Sequence, residues 1–140
     1  MLTGLRNKLL GDRGEQAAEA ALVASGVKIL ARQHRTAAGE IDLIGREEAT
    51  GRVVFCEVKA RTGTPGRTPR FGRPGAAVTP AKQRQLTKSG LCYLKAEGLL
   101  DSASCRFDVV EVLLPKGGGP PHVTHHPHAF EAVGVDSMFS

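Results

Sequence analysis

Apolar and polar residues alternate in the first half of the chain in a pattern that predicts two neighbouring strands, both containing charged residues. The strands are residues 39–44 (GEIDLI) and residues 53–59 (VVFCEVK), and a polar, glycine-containing stretch between them predicts a hairpin. Since side chains alternate between the two faces of a strand, Glu57 and Lys59 share one face. The other face is apolar and is predicted to pack against a helix: Val54, Cys56, Val58 and Ala60.

The register of this hairpin decides whether its acidic residues meet. If the chain folds back about Ala49 and Thr50, Asp42 lies opposite Glu57, with β-carbons roughly 5 Å apart. A slip of one residue would separate the two carboxylates. Charged side chains inside apolar strands are costly unless they are paired or bind a metal, so this predicted pair requires an explanation.

A divalent cation would explain the paired carboxylates. Two adjacent carboxylates repel each other, and Mg²⁺ or Mn²⁺ bound between them would leave coordination positions for water and a substrate phosphate. Lys59, one step along the same face, could position the attacking water or stabilise charge on the phosphate. The alternative is a buried cluster of ion pairs with a structural role only.

The remaining pattern completes an α/β fold. We predict a helix from Asp12 to Ser25, a strand from Val27 to His34, a helix capped by Thr79 with Pro80 in its first turn, and a strand from Cys105 to Leu114. The order α-β-β-β-α-β predicts a mixed sheet flanked by helices. We expect one domain over residues 1–115, followed by a Gly/Pro/His-rich tail, 116–140, partly packed on the core.

Positive charge is concentrated beside the predicted site. Residues 59–88 contain 8 of the chain's 19 basic residues and no acidic one, whereas the remainder has 11 basic residues against 14 acidic ones. Within this segment, residues 62–75 are rich in Gly, Pro, Thr and Arg and predict a long mobile loop. A basic loop beside a metal site favours a phosphate-backbone partner, and a solvated loop without a ligand is the alternative.

Other features exclude further classes of protein. The sequence has no apolar run long enough to cross a membrane and no visible secretory signal, so we expect a cytoplasmic protein. Its three cysteines lack metal-ligand spacing and are predicted to be buried free thiols. The four histidines between residues 122 and 128 could bind metal, but their Gly/Pro-rich surroundings favour a solvated tail. Asp108, in the last predicted strand, is expected to form a structural hydrogen bond or ion pair.

Several motifs occur in a fixed order along the chain: residues 11–15 (GDRGE), 39–44 (GEIDLI), 57–61 (EVKAR), 77–78 with Lys82, 93–94 (YL) and 106–110 (RFDVV). Together they resemble the UPF0102 (YraN-like) family of small bacterial proteins over roughly residues 6–112. The resemblance implies a restriction-endonuclease-like core, because this family is similar to the PD-(D/E)XK nuclease superfamily, in particular Holliday-junction resolvases and the tRNA-endonuclease-like fold.

The resemblance also implies roles for individual residues. Asp42 and Glu57 match the two metal-binding acids, and Lys59 matches the catalytic lysine. Glu15 matches an additional metal-binding acid, although Asp12 and Glu15 could instead form a capping box at a helix start. Lys82 could hold a phosphate oxygen, and its alternative is an exposed first-turn residue. Together with the charge of the basic segment and the position of Arg61 on the Lys59 face, these matches give the predicted nucleic-acid-binding residues: Arg61, Arg67, Arg70, Arg73 and Lys82.

Three functions follow from these expectations. The first is a Mg²⁺- or Mn²⁺-dependent endonuclease acting on structured or branched DNA, with DNA favoured over RNA. The second is a nucleic-acid-binding module of the same fold that cuts poorly alone and serves a recombination or helicase partner. The third is a structural protein with a buried ion-pair cluster. Resolvase-like relatives are often dimers, so the resemblance also allows a homodimer.

Overall fold

The computed structural model describes residues 2–64 and 78–133, and the side chains of the first helix from Leu9 onward. Within these ranges the elements follow in the order α1 (Leu2–Ala24), β1 (Val27–Thr36), β2 (Gly39–Glu47), β3 (Val53–Gly63), α2 (Pro80–Ala96), β4 (Cys105–Pro115) and β5 (His122–Phe130). None of the described helices is long and apolar enough to span a membrane.

The strands form one mixed sheet in the order β1-β2-β3-β4-β5. All neighbours are antiparallel except β3 and β4, which are parallel and are joined through α2. The α-β-β-β-α-β order expected from the sequence is therefore confirmed, and it is extended by a fifth strand at one edge. A parallel pair needs a long crossover connection, and α2 supplies it.

Each face of the sheet is covered by a separate apolar cluster. On one face, Phe55 of β3 packs with Leu86 and Tyr93 of α2. On the other face, Cys56 packs with Ala18 and Leu22 of α1. The predicted apolar face of β3 does lie against a helix, because Val54, Cys56, Val58 and Ala60 all belong to the α1 cluster. Burial on both faces explains the apolar runs at the start of β3, residues 53–56, and near the end of β4, residues 112–114.

Two local predictions are also confirmed. β2 and β3 pair with Leu43 opposite Cys56, which is the register of a hairpin that folds about Ala49 and Thr50. Thr79 caps α2, with its side chain accepting a hydrogen bond from the backbone N–H of Lys82 at 3.1 Å, and Pro80 is the first helical residue. Both features depend on short-range chemistry, which explains why they can be predicted from the sequence.

Three expectations were wrong. α1 begins at Leu2 rather than at Asp12, so Asp12 and Glu15 lie in the interior of the helix and cannot form a capping box. The histidine-containing tail is not solvated throughout, since His122–Phe130 forms β5 and pairs with β4. Cys92 is exposed on α2, whereas Cys56 is buried as expected. Most of the predicted basic loop lies outside the described residues.

A buried network of charges joins β5 to the rest of the sheet. Arg106 donates hydrogen bonds to both carboxylate oxygens of Asp108, at 3.0 and 3.1 Å, and to Glu47 at 2.7 Å. From β5, His125 Nε2 lies 2.7 Å from Asp108, and the backbone N–H of His128 donates to the same carboxylate. The prediction that Asp108 forms a structural ion pair is confirmed. Asp108 therefore holds the edge strand in place.

We predict that Asp108→Asn lowers the free energy of unfolding by about 3 kcal/mol, because it leaves the buried Arg106 with one charged partner instead of two. Urea denaturation monitored by circular dichroism would measure the loss. Asp101→Asn is the matched control, since Asp101 is exposed in the turn after α2, and we expect it to stay within about 0.5 kcal/mol of the wild type. Equal losses in both variants would contradict a role for the network.

Candidate active site

The candidate site lies where two neighbouring strands of the sheet separate. β2 and β3 pair from Arg46 and Val53 as far as Leu43 and Cys56, and no described pair lies beyond this point. From there β2 continues beside β1, and β3 continues beside β4. Asp42 lies at this fork, and its Oδ2 accepts a hydrogen bond of 2.8 Å from the backbone N–H of Val58. The carboxylate thus replaces a missing backbone partner between the strands.

Glu57 brings a second carboxylate to the fork. It follows directly after Cys56 in β3, and its side chain is only 6% exposed. Burial, and then the adjacent Glu57 carboxylate, raise the pKa of Asp42 from 3.8 to about 7, while the Val58 N–H and the charge of Lys82 act in the opposite direction. Asp42 therefore binds a proton near neutral pH unless another cation neutralises the pair.

Two lysines approach the same carboxylate from different elements. Lys59 Nζ lies 3.5 Å from Glu57 Oε2, and Lys82 Nζ lies 3.7 Å from the same oxygen. Both side chains are about one third exposed, so each ammonium group contacts a buried carboxylate and also reaches solvent. Lys59 comes from β3, and Lys82 comes from the first turn of α2. The crossover helix therefore adds a positive charge to a site that β2 and β3 build.

Glu15 reaches Asp42 from the α1 face of the sheet. It lines an open pocket together with Asp42 and Val58. The close approach of α1 depends on Gly14, because a Cβ at that position would lie 2.5 Å from the Cβ of Ala60. Burial raises the pKa of Glu15, and a hydrogen bond from Gln33 opposes that shift. The charge of Asp42 is one further cause of the raised pKa of Glu15.

The predicted site residues are thus only partly brought together. Asp42, Glu57, Lys59 and Lys82 converge, which excludes a freely exposed first-turn position for Lys82. Glu15 lies beside Asp42, but no three acidic, histidine or cysteine side chains among the described residues form a ready metal-binding group. Arg61 is half-buried two residues beyond Lys59 on β3. The other predicted nucleic-acid-binding residues, Arg67, Arg70 and Arg73, lie outside the described residues.

Comparison with known proteins identifies the family. The sequence model of the Uncharacterised protein family UPF0102 matches residues 14–112. The chain belongs to the UPF0102 family. UPF0102 protein RB9115 of Rhodopirellula baltica is 42% identical over 134 residues, which cover 95% of this chain and 77% of that protein. UPF0102 protein STH1475 of Symbiobacterium thermophilum is 48% identical over 106 residues, covering 76% and 83% of the two chains.

The matched UPF0102 region contains the whole candidate site. It extends from Gly14 to Val112 and so includes Glu15, both residues of the carboxylate pair and both lysines. It ends within β4, and β5 lies beyond it. A UPF0102 protein of Geobacter sulfurreducens, GSU0650, is 41% identical over 125 residues and aligns with 89% of this chain. The resemblance noted from separate motifs is therefore confirmed as family membership.

One residue of the site was missed by sequence reasoning. Gln33 donates a hydrogen bond of 2.9 Å to Glu15 Oε2, and its backbone has a φ of 47°. Glycine, asparagine and aspartate are the residue types that commonly adopt this left-handed conformation. Glutamine is not one of these types, and the residues around it follow an ordinary strand pattern. The left-handed backbone at residue 33 could therefore not be predicted from the sequence.

The raised pKa of Asp42 predicts a particular dependence of stability on pH. Because the folded-state pKa lies above the ordinary value, the unfolded chain releases this proton first as pH rises. The stabilising contribution is fully present below pH 3.8 and is lost as pH rises through about 7, with a slope approaching about 1.4 kcal/mol per pH unit. We expect Asp42→Asn to gain stability relative to the wild type across this window.

Urea unfolding of both proteins at about pH 4.5, 6 and 7.5 would measure this difference, since other titrating groups largely cancel. Glu97→Gln, which replaces an exposed carboxyl just after α2, is the control for exchanging an acid for its amide. A difference between Asp42→Asn and the wild type that stays constant with pH would show that Asp42 is ionised throughout the window.

Proposed function

We propose that this protein is a metal-dependent endonuclease that hydrolyses phosphodiester bonds in structured or branched DNA. The observation that supports it most directly is the buried pair of Asp42 and Glu57 at the fork, flanked by two lysines. In the Arg106 network both carboxylates accept hydrogen bonds from one buried guanidinium, whereas the ion pairs described for the two lysines reach Glu57 and not Asp42. Here the burial of Asp42 leaves its carboxylate in need of a proton or another cation.

The chemistry of the donors fits a hard divalent cation. Asp42 and Glu57 offer carboxylate oxygens and no sulfur or imidazole, and Mg²⁺ or Mn²⁺ is commonly bound by one or two carboxylates together with water and substrate phosphate. Such an ion would lower the pKa of water and offset negative charge on the phosphate. Glu15, on the other side of Asp42, would be an additional ligand or would bind through water.

The two lysines supply different functions in this proposal. Lys59 lies next to Glu57 along β3, so its ammonium group would position the attacking water and stabilise charge as it develops on the phosphate. Lys82 stands at the N-terminal end of α2, where the helix dipole also favours negative charge, and it would hold a non-bridging phosphate oxygen. Both ammonium groups are accessible enough to reach a bound substrate.

The substrate class is supported by charge. The segment of residues 59–88, which starts inside the site, carries only positive charge among its ionisable residues. Phosphate contacts of this kind position a nucleic acid without reading its sequence, so the structure of the DNA rather than its sequence would set the preference. Arg61 follows Lys59 on the same strand and would extend the contact along the backbone of the DNA.

We predict Mg²⁺- or Mn²⁺-dependent cleavage of DNA that is lost in Asp42→Asn and Glu57→Gln and falls by about 10²- to 10³-fold in Lys59→Met. The substrates would be labelled single strands, duplexes, flaps and four-way junctions, each tested with either metal or EDTA. Circular dichroism would establish that each variant folds. Glu97→Gln is the control, because Glu97 is exposed at the C-terminal end of α2, the opposite end from Lys82, and this variant should cleave like the wild type.

The outcomes separate the candidate functions. Cleavage that survives Asp42→Asn would assign the activity to a contaminant and contradict the proposal. Salt-sensitive binding of DNA without cleavage in either metal would replace it with a nucleic-acid-binding module that serves a recombination or helicase partner. If the wild type neither binds nor cleaves any DNA substrate and also binds no Mn²⁺, the carboxylate pair has a structural role.

Lys82 allows a second, independent test. We expect Lys82→Met to reduce kcat/KM by about 10²-fold. We also expect the acidic limb of the pH–rate profile to shift to higher pH, because removing the positive charge of Lys82 raises the pKa of Asp42 further. Lys95→Met, in the last turn of the same helix, removes an equal charge from an exposed position and is the matched control. Equal effects of both substitutions would reduce the role of Lys82 to general electrostatic attraction.

A further inference from the structure

Gln33 interrupts β1 beside the candidate site. Its backbone φ of 47° lies in the left-handed region. Among the described residues other than glycine, Gln33 and His128 have a positive φ. The pairs between β1 and β2 run through Arg32 with Leu43 and His34 with Ile41, and they omit the two residues between, Gln33 and Asp42. Asp42 therefore lacks a regular ladder neighbour on this side as well as at the fork with β3.

The interruption changes which face of the sheet each side chain reaches. Arg32 bonds to Glu19 of α1 at 2.6 and 2.9 Å, and Gln33 bonds to Glu15 of the same helix at 2.9 Å. Consecutive residues of a regular strand point to opposite faces, so two successive contacts with α1 are accompanied by the left-handed conformation at Gln33. His34 then packs edge-on against Tyr93 of α2, on the other face of the sheet.

The partners of the two helix carboxylates differ in charge. Glu15 and Glu19 lie one turn apart on α1, and the guanidinium of Arg32 neutralises Glu19 through two hydrogen bonds. Glu15 instead receives a neutral carboxamide, which orients a carboxylate without cancelling its charge. An arginine at residue 33 would satisfy the hydrogen bond and remove the negative charge that a cation needs.

We propose that Gln33 is a positioning residue for this site: its left-handed backbone opens the ladder opposite Asp42, and its carboxamide holds Glu15 beside Asp42 with its negative charge intact. Strain in the backbone that the surrounding structure maintains is typical of functional sites. The inference rests on the proposed metal-dependent function, but it concerns how the cation site is assembled. It can therefore be tested without any nucleic acid.

The side-chain half of the proposal is tested by a double-mutant cycle on the full chain, with Mn²⁺ affinity measured by isothermal titration calorimetry without DNA. Gln33→Leu keeps the size of the side chain and removes the amide, and we expect it to weaken Mn²⁺ binding by about 10-fold, as loss of a hydrogen bond to a ligand typically does. In a Glu15→Gln background the same substitution should have no further effect. Gln16→Leu is the control, because Gln16 is exposed on α1 and lines a second pocket together with Glu15 and Gln33.

The backbone half is tested by thermal unfolding of two variants that both lack the amide. Glycine accepts a positive φ and alanine does not, so Gln33→Gly should melt at a higher temperature than Gln33→Ala. The reverse order, or no difference, would contradict a requirement for the left-handed conformation. Asparagine also tolerates this conformation, but its side chain is shorter by one methylene group. Because its amide would not reach Glu15, Gln33→Asn should bind Mn²⁺ as weakly as Gln33→Gly does.

The outcomes separate this inference from the proposed function. Wild-type affinity in Gln33→Leu, an equal loss in the Glu15→Gln background, or no Mn²⁺ binding by the wild type would each overturn the positioning role. If Mn²⁺ binds with the expected coupling but no DNA substrate is cleaved, the nuclease proposal fails and the positioning role of Gln33 stands.

Discussion

The burial of a carboxylate pair between separating strands is the constraint on which the rest of this structure depends. Burying the carboxylate of Asp42 away from water is costly unless another group pairs with it. In this structure its neighbours are the backbone N–H of Val58 and the carboxyl group of Glu57. α1 closes one side of the fork and α2 the other, so that water is limited while the two lysines still reach solvent. The shape of the sheet and the electrostatics of the site therefore have the same origin.

Much of this arrangement could be predicted because it depends on strand periodicity. Alternation along β3 assigned Glu57 and Lys59 to one face and the apolar residues to the other, and hairpin length gave the register that brings Asp42 near Glu57. Charged residues within apolar strands marked the site itself. The helical position of Lys82 was also predictable, since Thr79 and Pro80 define where α2 begins, but its contact with Glu57 depends on how α2 packs.

The remaining features depend on long-range contacts that no local pattern records. α1 extends ten residues before Asp12, through two glycines that would lower a helix prediction. The part of the helix whose side chains are described packs on the sheet through Leu10, Ala18 and Leu22. β5 has a weak strand pattern, with a proline and four histidines, and becomes ordered through the buried charges of β4. The left-handed Gln33 likewise lies between two residues with long-range contacts, Arg32 with Glu19 of α1 and His34 with Tyr93 of α2.

The close contact between Gly14 and Ala60 determines how near α1 lies to β3 beside the candidate site. Any side chain at residue 14 would start 2.5 Å from Ala60, so α1 would have to move away by about 1 Å to restore an ordinary contact. Glu15, the next residue, would move with the helix. One hydrogen atom in place of a methyl group therefore sets how closely the helix, and with it Glu15, can approach Asp42.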